Sequence, residues 1–132
     1  MNSKDCIIEK YNTVYSYNIY VVLNPDKDIL DKRFKLDGST ITDESSSSDT
    51  RVAYTVCNAT DLEDDRYCFV IVLNGWVDDL DLINTCAHEA NHVTMNLLSE
   101  VGITYSDDSE EAFAYLTGYI AECIYKTVRD HE

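Results

Sequence analysis

The 132 residues of this chain, 45% of them hydrophobic, are enough for one domain with a real core and too few for two of ordinary size. Acidic residues outnumber basic ones by 25 to 10, and the resulting formal charge of −15 repels a phosphate backbone, so no direct binding of nucleic acid is expected. No run approaches the ~20 apolar residues that span a bilayer, and the opening MNSKDCIIEK lacks the basic-then-apolar layout of a secretory signal, so a soluble, cytoplasmic chain with no membrane partner is expected.

Within the chain, Tyr15, Tyr17, Ile19, Val21 and Leu23 alternate with residues that include Ser16 and Asn18, which reads as one strand from Thr13 to Leu23. Asn24 and Pro25 then read as a helix cap followed by proline at the first helical position, opening a short helical turn from Asp26 to Phe34. Residues 37–50 hold a serine run and almost nothing apolar to bury, which predicts a mobile loop. Alternation returns from Arg51 to Asn58, with Val52, Tyr54 and Val56 on one face. Tyr67 to Leu73 is apolar without interruption, as suits a central strand covered on both faces, and Asn74 and Gly75 end it.

Two helices follow. The first runs from about Asp79 to Glu100, capped by Asp78 or Asp79, with an apolar series at Leu80, Ile83, Ala87, Ala90, Leu97 and Val101 and Gly102 as its stop. The second runs from Asp108 or Ser109 to Val128, its apolar face made of Ala112, Leu116, Tyr119, Ile120, Cys123 and Ile124. Strands first and two long helices last predict an α+β fold: a small, mostly antiparallel sheet of about three strands, packed on those helices. The five cysteines (Cys6, Cys57, Cys68, Cys86 and Cys123) are widely spaced and form no CxxC pair, so free thiols are expected rather than a disulfide framework.

In the middle of the first long helix, His88, Glu89 and His92 spell HExxH. Residues four apart share a helical face, so two imidazoles can reach one ion, while Glu89 is rotated about 100° from His88, beside the ion rather than on it. Such a carboxylate is placed for proton transfer. Catalytic zinc usually takes a third protein ligand. His131 lies at the ragged C-terminus, whereas Glu110 and Glu111 open the second helix after a short connection. Glu111 is the favoured donor, its face continuing through Tyr115, Gly118 and Glu122, with Gly118, Ala114 and Ala121 expected to let the helices approach; Glu110 is the alternative.

HEANH followed by EEAFAYLTGY resembles the small HExxH proteins encoded by tailed bacteriophages and, more distantly, the gluzincin metallopeptidases, whose third zinc ligand is a glutamate on a following helix. The second segment is also similar to the third-ligand helix of the ImmA-type proteases that cut phage repressors. The resemblance covers roughly residues 80–125 and implies a minimal zincin with His88, His92 and Glu111 on zinc and Glu89 as general base. A metzincin HExxHxxGxxH extension is absent. Tyr115 or Tyr105 is a candidate oxyanion donor. Cys86, about 200° round the helix from His88, is expected in the core.

These readings predict a zinc-dependent hydrolase, a narrow-specificity peptidase acting on a peptide or protein in a host cytoplasm. The alternative is a weakly active or inactive zincin-shaped binding protein, an acidic phage factor that inhibits a host enzyme or mimics DNA in its basic groove.

Overall fold

The computed structural model describes residues 5–43 and 53–132. Six strands, β1 (Ile7–Asn12), β2 (Asn18–Leu23), β3 (Phe34–Leu36), β4 (Ser39–Thr40), β5 (Ala53–Asp61) and β6 (Arg66–Leu73), are joined by three helices, α1 (Lys27–Arg33), α2 (Asp79–Glu100) and α3 (Glu110–Asp130). The strands form one sheet in the order β1-β2-β6-β5-β3-β4. β2 and β6 run parallel, with Leu23 opposite Leu73, and the remaining pairs are antiparallel.

A small, three-stranded sheet is therefore not what forms. The fold is α+β as expected, but its sheet is six-stranded and mixed, for three local reasons. First, the alternation from Thr13 to Leu23 is not one strand. The Thr13 hydroxyl donates to the Tyr17 carbonyl at 2.7 Å and Ser16 takes φ 66°, so residues 13–17 turn the chain and β1 precedes them. Second, the short helix is capped by Asp26, whose carboxylate accepts from the Ile29 N–H at 3.1 Å, and Phe34 leaves the helix to begin β3. Third, part of the expected loop is ordered. Gly38 supplies a positive φ of 80° between β3 and β4, and a single 3-10 turn, Ile41–Asp43, buries Ile41 completely. Residues 44–50 of that loop lie outside the described residues.

Two cores flank the sheet. On one face Ile19, Val21, Phe69 and Ile71 pack against Leu82, Leu97, Leu116 and Ile120 of α2 and α3. On the other, Tyr20, Val22, Val70 and Val72 pack against Leu30, Phe34 and Ile41. Successive residues of β6 thus feed opposite cores, which accounts for its uninterrupted apolar run. Among the described residues no helix is long and apolar enough to cross a membrane, and all five cysteines are free thiols.

At the far end of β5 the buried Asp61 accepts from the Tyr20 hydroxyl, from the Glu63 N–H at 2.9 Å and from Arg33 Nε at 3.2 Å. Burial pushes its carboxyl up, but these hydrogen bonds and the Arg33 charge outweigh burial and hold the pKa below the ordinary value. A carboxyl whose pKa is lower folded than unfolded contributes stability above the unfolded pKa of ~3.9 and loses it as pH falls through the folded value. Urea melts are expected to show wild type losing stability more steeply than Asp61→Asn as pH drops from about 5. Equal slopes would mean that Asp61 has no such role.

Candidate metal centre

The ends of α2 follow the sequence. Asp78 caps it, accepting from the Asp81 N–H at 2.9 Å, and Gly102 turns the chain out of it at φ 82°. Its rotation does not follow the expected apolar series. The buried side chains are Leu82, Cys86, Glu89, Ala90, Val93, Thr94, Leu97 and Leu98, while Leu80 and Ile83 are 77% and 55% exposed. Cys86 lies in the core as expected, and burial pushes its thiol up to about 11.

This rotation buries Glu89 and leaves both histidines exposed to solvent. His88 Nε2 and His92 Nε2 stand 3.2 Å apart, their rings edge-to-face with centroids 4.8 Å apart. Two nitrogens held by one tetrahedral ion at ~2.0–2.1 Å lie about 3.3–3.4 Å apart. The spacing of the pair is close to that of two ligands on one zinc ion. In the absence of metal the same approach is a single imidazole–imidazole hydrogen bond, with one tautomer donating.

Glu89 is only 5% exposed. Its Oε1 accepts from the Thr55 hydroxyl of β5 at 2.7 Å, and its Oε2 lies 3.9 Å from His88 Nε2. A carboxylate held at the edge of an apolar core by one hydroxyl, 3.9 Å from an imidazole nitrogen, costs stability that a glutamine there would not. Thr55 fixes one oxygen and leaves the other turned toward the histidines. The alternation of Val52, Tyr54 and Val56 already put Thr55 on the opposite face of its strand, but nothing in the sequence paired it with Glu89.

The structure does not bring the proposed third ligand to this pair. Glu110 and Glu111 are exposed, as are Tyr115, Gly118 and Glu122. The helices meet instead through Thr117 Oγ1 and Thr94 Oγ1, at 2.9 Å. Thr94 is two residues from His92, about 200° round α2, so α3 lies on the side of α2 away from the histidines. Gly118 faces open space, with nothing within 4 Å of where a Cβ would sit. Among the described residues no three His, Cys, Asp or Glu side chains gather around one point. Tyr115, 76% exposed, lies beside Val14 and Tyr15, and Tyr105 stacks edge-on against Phe113. His131 is 3.0 Å from Glu9, away from α2's histidines.

Glu89, one position from His88, is what reaches the β5 side of the sheet, through Thr55. Among the described residues the outer edge of β5 is paired only at its end, where Thr60 and Asp61 meet Lys35 and Phe34 of β3. A bulge between Val56 and Ala59, with Asn58 at φ 57°, bends β5, and Asn58 donates to Glu100 of α2 at 3.0 Å. No family model matches the chain, and no curated protein or solved structure matches it either.

Proposed function

We propose that the chain is a zinc-dependent hydrolase, a minimal zincin acting as a narrow-specificity metallopeptidase, with His88 and His92 as metal ligands and Glu89 as general base. What supports this reading is the convergence of the two Nε2 atoms at 3.2 Å beside a buried carboxylate oriented by Thr55. His88 and His92 would hold the zinc ion, which when bound would supply Lewis acidity toward water and a carbonyl. Glu89 Oε2 takes the proton and later returns it to the leaving amine, while Thr55 keeps Oε1 fixed through both transfers. An extended peptide pairs with a strand edge beside α2 and sets its scissile bond against the histidines.

New peptide termini, sought by mass spectrometry after incubation with host lysate, are expected with wild type and zinc and to vanish with chelator. No new termini from wild type would defeat the peptidase reading. Capture of the same partner by wild type and Glu89→Gln without cleavage would favour an acidic binding protein. The third ligand is tested by metal affinity. Glu111→Ala and Glu110→Ala are each expected to change zinc affinity by less than about threefold, because both side chains are solvated helix-terminal charges. A much larger loss at Glu111 would place it on the ion.

A further inference from the structure

β2 and β6 lie side by side, parallel, with Leu23 opposite Leu73. Beyond those residues the chain leaves the sheet in opposite directions. From β2 it passes to α1, whose Leu30 packs on one face; from β6 it passes to α2, whose Leu82 packs on the other. Where neighbouring parallel strands send their connections to opposite faces, a crevice opens outside their carboxyl ends, and small ligands bind there in open sheets. A cavity of about 650 Å³ occupies this position, a size within the roughly 300–1,000 Å³ of small-molecule sites. It lies apart from His88, Glu89 and His92, none of which lines it.

Its floor is apolar, with Leu23, Leu73 and Val128, and its walls carry Trp76, His131 and Glu132. At this end of the sheet one first-turn N–H of α1 and one of α2, and the Val77 N–H before α2, are held by the chain's own carboxylates, which also place negative charge at both helix starts. Asp26 accepts from Ile29 at 3.1 Å, Asp78 from Asp81 at 2.9 Å, and Asp81 from the Val77 N–H at 2.9 Å. Glu132 adds negative charge to the wall, and Glu9 stands 3.0 Å from His131. The nearby Arg129 is already paired, with Glu132 at 2.6 Å and Asp79 at 3.1 Å. Three carboxylates, Glu132, Asp79 and Glu9, thus share one guanidinium and one imidazole, an excess of negative charge that disfavours an anion, and Trp76 in the same lining suits a positive charge.

We propose that this crevice binds a small organic cation, an ammonium or guanidinium compound, with its charge toward Glu132 and the Glu9–His131 pair and its apolar body against Trp76. Trp76 is the chain's single tryptophan, so its emission reports occupancy directly. Agmatine and choline, titrated into the full chain and followed by Trp76 fluorescence and calorimetry, are expected to bind saturably, while AMP and inorganic phosphate do not. Glu132→Gln is expected to weaken the cation about threefold to tenfold. Asp107→Asn, the same charge change in the exposed α2–α3 connection, is expected to leave binding unchanged. Absence of saturable binding of either cation up to about 10 mM would overturn the proposal. So would preferential binding of AMP, or an equal effect of Glu132→Gln and Asp107→Asn, which would reduce the effect to general charge attraction.

Discussion

Glu89→Gln is expected to keep metal content and fold while lowering hydrolysis by about 10²-fold to 10⁴-fold, the scale of a lost general base. Glutamine retains an oxygen that can accept from the Thr55 hydroxyl, so the contact now made at 2.7 Å survives. What it loses is the charge and the ability to take a proton at Oε2, the oxygen 3.9 Å from His88 Nε2. Because a buried carboxylate costs more than a buried amide, thermal stability is expected to stay level or rise. Thr55→Val is the companion variant, removing the hydroxyl that orients Glu89 while keeping its volume. It is expected to lower turnover by less than Glu89→Gln does and to leave zinc bound. Undiminished hydrolysis in Glu89→Gln would remove Glu89 from the chemistry.

Leu82→Ala is expected to destabilise the protein by about 2–5 kcal/mol, whereas Leu80→Ala, two residues away, is expected to change stability by no more than about 0.5 kcal/mol. Leu82 is fully buried between α2 and the sheet, and Leu80 is 77% exposed. The contrast, read from urea midpoints, measures the rotation of α2 and with it the direction in which His88 and His92 point. Similar losses at both positions would mean that the helix is turned from the orientation described, bringing the histidines toward α3 and Glu111 back into reach.

That rotation is also where the sequence was least informative. The series Leu80, Ile83, Ala87, Ala90 and the series Leu82, Cys86, Ala90, Val93 both have helical spacing, and they share Ala90 and Leu97. Periodicity alone does not choose between them; packing on β5 and α3 does. On α3 only one such series exists, and Leu116, Ile120, Cys123 and Ile124 are buried as their spacing requires. The cap and stop of α2 were legible for the same local reason, since Asp78 and Gly102 act through their immediate neighbours.

The sheet was harder to read. β1 carries Glu9 and Lys10 within six residues at the sheet's edge, and its burial is only partial, so its apolar signal is weak. β3 and β4 are three and two residues long, below what alternation can reveal. Within the candidate metal centre, the histidine pair was legible because i, i+4 spacing on a helix fixes the distance between two side chains. The position of Glu111 was not, because it depends on which side of α2 the next helix returns.

Elemental analysis of the purified chain, before and after reconstitution with excess zinc, tests the histidine pair most directly. The convergence of His88 Nε2 and His92 Nε2 at 3.2 Å predicts about one zinc per chain in wild type, and none when His88→Ala and His92→Ala are combined. Wild-type protein without zinc under both conditions, or a double variant that retains it, would contradict the assignment of these residues as a metal centre.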